Sequence, residues 1–288
     1  MRMVGVVGLG TVGGALLEAL GSAEVPAASY DPYLGVGAPE SLSDCSIVFL
    51  CVPTPESSGG TLDTSAVWKA VRDVEANLAD GAIVAVKSTV PPGTSAALSA
   101  DFPRFEFASV PEFLVAARPM ETLRHPDRVL IGAQTLEAFR VIADVMRRVA
   151  PGSPILMLSP TEAELAKLAA NAMLAAKVSM ANELALVCER FDVDWSDIQS
   201  AVGLDRRIGV DHLSVTAERG FSGGCLPKDL DGLIGATREA GYEAPLLSRI
   251  ATFNREVRRM AEATDLVDVT VLQDVTALQQ ERVGGYSD

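Results

Sequence analysis

The chain has 288 residues, 48% of them hydrophobic, enough to bury a sizeable core and to divide into two compact domains. A formal charge of −14 without any basic run argues against nucleic acid as a partner, since such binding draws on clustered Lys and Arg. No apolar run is long enough to span a bilayer, no signal-peptide pattern opens the chain, and the four cysteines lack CxxC spacing, so the sequence predicts a cytoplasmic protein with free thiols, no metal centre and no membrane association.

Met3 to Val7 reads as a strand, followed at once by Gly8-Leu9-Gly10-Thr11-Val12-Gly13 and then by a helix from Gly14 to Leu20. This order suits a dinucleotide. Gly8 permits the tight turn, Gly10 lets the backbone approach a pyrophosphate, Gly13 allows close packing of helix on strand, and the helix N-terminus offers N–H groups to phosphates. Asp31 falls 18 residues after Gly13, where the acid that binds the adenosine ribose diol is expected. Its carboxylate would repel a 2′-phosphate, which favours NAD over NADP.

Strand and helix patterns then alternate: Ile47 to Val52, Val67 to Leu78, Ile83 to Val86, Phe105 to Ser109, Arg128 to Ile131 and Ile155 to Leu158. The rhythm predicts an α/β fold, a Rossmann doubly wound parallel sheet over residues 1–158. Two strand ends, Cys51-Val52-Pro53-Thr54-Pro55 and Lys87-Ser88-Thr89-Val90-Pro91-Pro92-Gly93-Thr94, lead polar residues toward the crevice beyond the sheet, as walls of a nicotinamide site.

From Ser159 the texture changes. Ser159-Pro160-Thr161-Glu162 supplies an N-cap, a first-turn Pro and an early acid for a long Ala- and Leu-rich helix from Pro160 to Phe191. Further helices are expected at Asp194 to Val202 and Asp229 to Ala240, giving an all-helical domain over 159–258 and a tail over 259–288 that frays at Gly284 to Asp288.

The chain holds only two histidines, His125 and His212, so acid-base chemistry falls to Lys, Asp, Glu or Cys. Three segments supply such groups. Glu112 follows a predicted strand, with Phe113 and Leu114 behind it. Lys167 and Asn171 are spaced i, i+4 on the long helix and share a face. Cys225 follows the Gly-rich Gly220-Phe221-Ser222-Gly223-Gly224 and precedes Leu226-Pro227-Lys228-Asp229 at a helix start, a setting that lowers thiol pKa values and makes a nucleophile. Cys45, Cys51 and Cys188 lie on apolar elements and read as small packed hydrophobes.

These segments, together with Val52 to Pro55, Ser88 to Thr94, Asp127 to Gly132, Glu164 to Leu174, Asn182-Glu183 and Arg207-Ile208-Gly209, resemble the UDP-glucose/GDP-mannose 6-dehydrogenase family in order, over roughly residues 1 to 255. The resemblance implies a Rossmann domain plus a helical domain that pairs two subunits through its long helix. It also implies oxidation of a sugar primary alcohol to a carboxylate with two NAD. By position, Cys225 would trap an aldehyde as a thiohemiacetal and then carry a thioester. Lys167 and Asn171 would stabilise the charged oxygen, Asp229 would place the hydrolytic water, and Glu112 and Thr89 would serve proton transfers. Phe113, Leu114, Phe221 and Gly223 would line the sugar site, and Arg207 resembles an arginine that reaches the neighbouring subunit's sugar.

Departures accompany the likeness. The stretch after Cys225 is too short for the nucleotide-gripping second Rossmann-like domain of the family, the segment from Asp31 to Cys45 is short, and Val110 and Ala116-Ala117 stand where members carry Asn and Glu-Gly. Two other readings therefore stay open: a two-electron dehydrogenase of the β-hydroxyacid type, which shares the Lys-xxx-Asn helix, and a non-catalytic cofactor-binding subunit. The thiol of Cys225 speaks against the first, and the full set of polar residues against the second.

Overall fold

The structure is a computed structural model that describes residues 3–57, 59–115 and 117–263. The pattern expected of the tail beyond 263, including Gly284 to Asp288, lies outside the described residues. By compactness the chain forms two units. One takes Met1–Asn171 with Asp231–Tyr242, and the other takes Ala172–Leu230 with the described residues from Glu243 on.

The first unit is built on seven strands, β1 (Met3–Val7), β2 (Ala27–Tyr30), β3 (Cys45–Leu50), β4 (Ile83–Val86), β5 (Glu106–Ser109), β6 (Val129–Gly132) and β7 (Ile155–Leu158), in the sheet order β2-β1-β3-β4-β5-β6-β7. Side chains along β3 show how the sheet is sandwiched. Ile47 and Phe49 join one core with Leu16, Leu20 and Ile142, while Val48 and Leu50 join the other with Val67, Val71 and Leu98. Successive residues of a strand face opposite ways, so an uninterrupted apolar run means helices on both sides. Those helices are α1 (Thr11–Ser22), α2 (Ser65–Val74), α3 (Thr94–Asp101), α4 (Pro119–Arg124) and α5 (Leu136–Val149).

The sheet departs from the all-parallel expectation at one place. β5 meets β6 antiparallel through Ser109 and Gly132, and β7 then runs parallel to β6. The chain from Val110 to Arg128 begins β6 near the end where β5 stops, so no crossover to the opposite end is needed. Helices α3, α4 and α5 were also not anticipated, although α5 carries its own signal: Thr135 caps it, accepting from Ala138 N at 3.1 Å, and Val141, Ile142, Val145, Met146 and Val149 form its buried stripe.

The long helix α6 (Pro160–Arg190) starts where the sequence places it. Ser159 N donates to Glu162 Oε2 at 2.7 Å and Glu162 N to Ser159 Oγ at 3.3 Å, a reciprocal capping box. In the second unit α7 (Trp195–Gly203) packs through Trp195 on Ala181, Ala185 and Leu213, and the indole N–H donates to Leu213 O at 2.9 Å. Helix α8 (Leu226–Glu239) begins a turn earlier than expected because Asp229 N bonds Cys225 O at 2.8 Å, which makes Cys225 its N-cap residue. Residues 245–263 are helical.

Candidate functional site

The turn from β1 into α1 is built from glycine for steric reasons. Gly8 has φ of +85°, and a Cβ on Gly13 would sit 1.8 Å from Gly8 O, so no side chain fits there. No side chain caps the N-terminus of α1, and a Cβ on Gly10 would meet nothing within 4 Å. Open helical N–H groups beside empty space are what a pyrophosphate requires. A cavity of about 500 Å³ lies there, lined by Gly8, Gly10, Thr11, Val12, Asp31, Val52 and Pro53 among the expected residues. Cys51, the first residue of an expected nicotinamide wall, lines it too, as do Tyr30, Tyr33, Leu34, Ala66 and Lys69, which carried no cofactor signal in the sequence. These five come from the end of β2, the turn after it and the face of α2, which only the tertiary fold brings over the glycine turn.

Asp31 is a buried residue of this cavity's lining. Its Oδ2 accepts from Leu9 N at 2.7 Å and its Oδ1 from Tyr33 N at 2.9 Å and Leu34 N at 3.1 Å. Burial pushes its pKa up, but the three N–H donors outweigh this and hold it below the usual carboxylate value. Behind the cavity, Thr54 Oγ1 donates to Thr89 O at 2.6 Å and Ser88 Oγ to Val52 O at 2.6 Å. These bonds tie the two expected nicotinamide walls together. The hydroxyls of Thr54 and Ser88 are thereby spent on backbone, while Pro55 continues the wall away from the cavity lining.

The charged cluster gathers past the ends of β3, β4 and β5. Lys167 Nζ lies 3.5 Å from Glu112 Oε1, with the lysine side chain 6% and the glutamate side chain 13% exposed. Glu112 Oε2 accepts from Leu114 N, which folds the Pro111 to Leu114 segment around the carboxylate. Two cations lie over the ring of Phe113, Arg128 Cζ at 4.1 Å and Lys167 Nζ at 5.2 Å from its centroid. Asn171, one turn beyond Lys167, is buried, as is Glu164, one turn before it. Burial pushes the Glu164 carboxyl up, against donors from Ser95 and Gly93 that pull it down. Lys87, named from the sequence only as the start of a nicotinamide wall, is also buried here; the signal for its charge was its place directly after four apolar strand residues.

In the second unit Cys225 is exposed at the start of α8, Asp229 is buried with Lys228 Nζ 2.8 Å from its Oδ1, and Gly223 takes φ of +85° in the preceding loop. Phe221 is held on both sides by one side chain: its N donates to Asn254 Oδ1 at 2.7 Å and its O accepts from Asn254 Nδ2 at 2.9 Å. Arg207 is exposed and pairs with Asp205, Nη2 to Oδ2 at 2.6 Å, while Lys177 Nζ on α6 anchors the next residue through Ile208 O at 2.8 Å. The other cysteines pack as expected, Cys45 buried, Cys51 and Cys188 half-buried. No helix of the described residues is long and apolar enough to cross a membrane.

Two family models match in succession, the NAD binding domain of the UDP-glucose/GDP-mannose dehydrogenase family over residues 35–150 and its central domain over 161–256. The chain belongs to this family. The family's NAD binding domain makes NAD the expected cofactor, and the glycine turn, open helix end and Asp31 fit it. The chain is 35% identical to a UDP-glucose 6-dehydrogenase of Haloferax volcanii over 233 residues, covering 75% of this chain and 53% of that protein. It spans about half the length of the curated relatives it matches. Among solved structures, a UDP-glucose dehydrogenase of Pyrobaculum islandicum superposes with a TM-score of 0.81 at 32% identity, covering 90% of this chain and 69% of that one. A 3-hydroxyisobutyrate dehydrogenase of Mycobacterium tuberculosis reaches 0.70 at 17% identity, covering 89% and 94%, a likeness of fold alone.

Proposed function

We propose that this family member catalyses NAD-dependent, four-electron oxidation of the primary alcohol of a nucleotide sugar to a carboxylate. The observation that carries the proposal is Cys225, an exposed thiol at the N-cap of α8. A two-electron dehydrogenase has no use for an acyl-accepting thiol, which sets this reading above the β-hydroxyacid type despite the shared fold.

Gly8, Leu9, Gly10, Thr11, Val12 and Gly13 hold the cofactor pyrophosphate, Asp31 its ribose diol, and Val52 to Pro55 with Ser88 and Thr89 its nicotinamide end. NAD, when bound, takes up one hydride from the substrate in each of two oxidations. In the first, Lys167 and Asn171 donate hydrogen bonds to the oxygen that loses its proton, and Glu112 or Thr89 passes that proton on. The Cys225 sulfur then bonds to the aldehyde carbon and its proton goes to the carbonyl oxygen, giving a thiohemiacetal. The second oxidation removes a hydride from that carbon and a proton from that oxygen, leaving a thioester. Asp229 orients water, which attacks the carbonyl; the carbon–sulfur bond breaks, and carboxylate and free Cys225 result.

The family likeness also supports a homodimer through α6. Met173, Met180 and Val187 form an exposed apolar stripe on that helix, spaced by seven residues, with Phe191 exposed just past its end, and the exposed Arg207 is the residue proposed to reach a partner's sugar. The proposed chemistry is tested by incubating protein with NAD and UDP-glucose, quenching in acid and weighing the intact chain. A sugar-nucleotide adduct that maps to Cys225 is expected; if none forms while NADH accumulates, the thioester route is wrong.

A further inference from the structure

Lys87 is a buried cation for which the reaction above has no task. It is the first residue past β4, as Cys51 is past β3 and Val110 past β5, and backbone bonds keep these three strand ends level: Cys51 N to Val7 O at 2.7 Å, Lys87 N to Leu50 O at 2.9 Å and Val110 N to Val86 O at 2.8 Å. Lys87 is 2% exposed. Its Nζ reaches Val110 O at 3.5 Å, the limit of a hydrogen bond and a weak recompense for an ammonium removed from water. The groups whose charges act on it are the Cys51 thiol, the Glu112 carboxylate and the Lys167 ammonium, and burial, the strongest influence, pushes its pKa down. Cys51 is driven the other way by burial, up to about 12, and so stays a neutral thiol.

Lys87 Nζ thus lies at the start of the Val110 to Leu114 segment, whose Glu112 carboxylate also meets Lys167 Nζ. We infer that Lys87 is a second counter-cation of Glu112, a positioning residue that allows Lys167 to turn from Glu112 to the reacting oxygen without stranding a buried carboxylate. Removing one partner of a buried ion pair is strongly destabilising because the other charge is left alone. With Lys87 present, Glu112 keeps a cation nearby while Lys167 serves the alkoxide. The inference rests on the proposed reaction for the role of Lys167, but its unfolding test needs no substrate.

The test is a double-mutant cycle in urea unfolding of the full chain with Lys87→Met, Lys167→Met and both. Each single variant leaves Glu112 one cation and the double variant leaves none. The double variant is expected to lose more in its unfolding midpoint than the two singles added, and the excess is expected to vanish when Glu112→Gln is built into all four proteins. Additive losses overturn the inference. Should the double variant not fold, adding Glu112→Gln to it must restore folding; a triple variant no better than the double overturns the inference as well. In turnover, Lys87→Met is expected to lower kcat at least about tenfold with KM and NAD affinity kept, and Lys87→Arg to recover part of the loss. A wild type that turns over no nucleotide sugar sinks the proposed reaction and leaves the unfolding cycle to decide on Lys87.

Discussion

Ser95 gives both its backbone N–H, at 2.8 Å, and its hydroxyl, at 2.6 Å, to one carboxylate oxygen of Glu164 on α6, while Gly93 N donates to the other oxygen at 2.6 Å. Glu164 precedes Lys167 by three residues and shares its helix face. The start of α3, and with it the loop that carries Ser88 and Thr89, is thereby fastened to the helix that carries Lys167 and Asn171. Glu164→Ala leaves buried N–H donors without an acceptor and is expected to cost about 1–3 kcal/mol in urea unfolding. Stability equal to wild type would show that the clamp contributes nothing.

Asp31 carries two expectations. As the proposed ribose ligand it makes NAD bind more tightly than NADP, and Asp31→Ser is expected to narrow the gap, measured by calorimetry; equal wild-type affinities would remove that role. Its second role is in stability. Because its folded pKa lies below the ordinary 3.8, its ionised form stabilises the fold above that pH, and the contribution is lost as pH falls through the folded value. Asp31→Asn should therefore be less stable than wild type near neutrality, with the two curves converging in acid. A gap that persists unchanged to the lowest pH would contradict the assignment.

The cofactor half was legible because its constraints are local. A strand, a glycine turn and a helix end lie within twenty residues, and each glycine answers a steric demand that other residues cannot meet, as the 1.8 Å approach at Gly13 makes plain. The capping box at Ser159 was legible for the same reason. Pairing was not. That Glu112 meets Lys167, and that Lys87 reaches Val110 at the start of the same segment, depends on the order of β3, β4 and β5 and on where α6 lies, which no spacing in the chain encodes. The antiparallel turn into β6 escaped likewise, since a short apolar run carries no direction.

Met180→Glu places a charge on the exposed stripe of α6 without touching the buried core of either unit. If the stripe joins two subunits, light scattering at micromolar concentration should report a dimer for wild type and a monomer for the variant, with NAD affinity kept. A monomeric wild type would overturn both the dimer and the cross-subunit role of Arg207.

Lys167→Ala removes a donor to the developing alkoxide and is expected to lower turnover by two orders of magnitude or more, about the loss seen when one such donor is deleted, with NAD binding unchanged. Parallel losses of both would place Lys167 in cofactor binding. Phe113→Leu, which removes the ring that Arg128 and Lys167 lie over, should raise the KM for the sugar more than it lowers kcat.

The central claim is that two successive oxidations occur on one carbon before release, with Cys225 holding the carbon between them. It is tested most directly by counting NADH formed per UDP-glucose consumed by the wild-type chain, across a panel that includes other nucleotide sugars. Two NADH per sugar, falling with the rate when Cys225 is changed to Ser, is the predicted result; one NADH per substrate, at a rate that Cys225→Ser leaves untouched, would contradict it and make the protein a two-electron dehydrogenase.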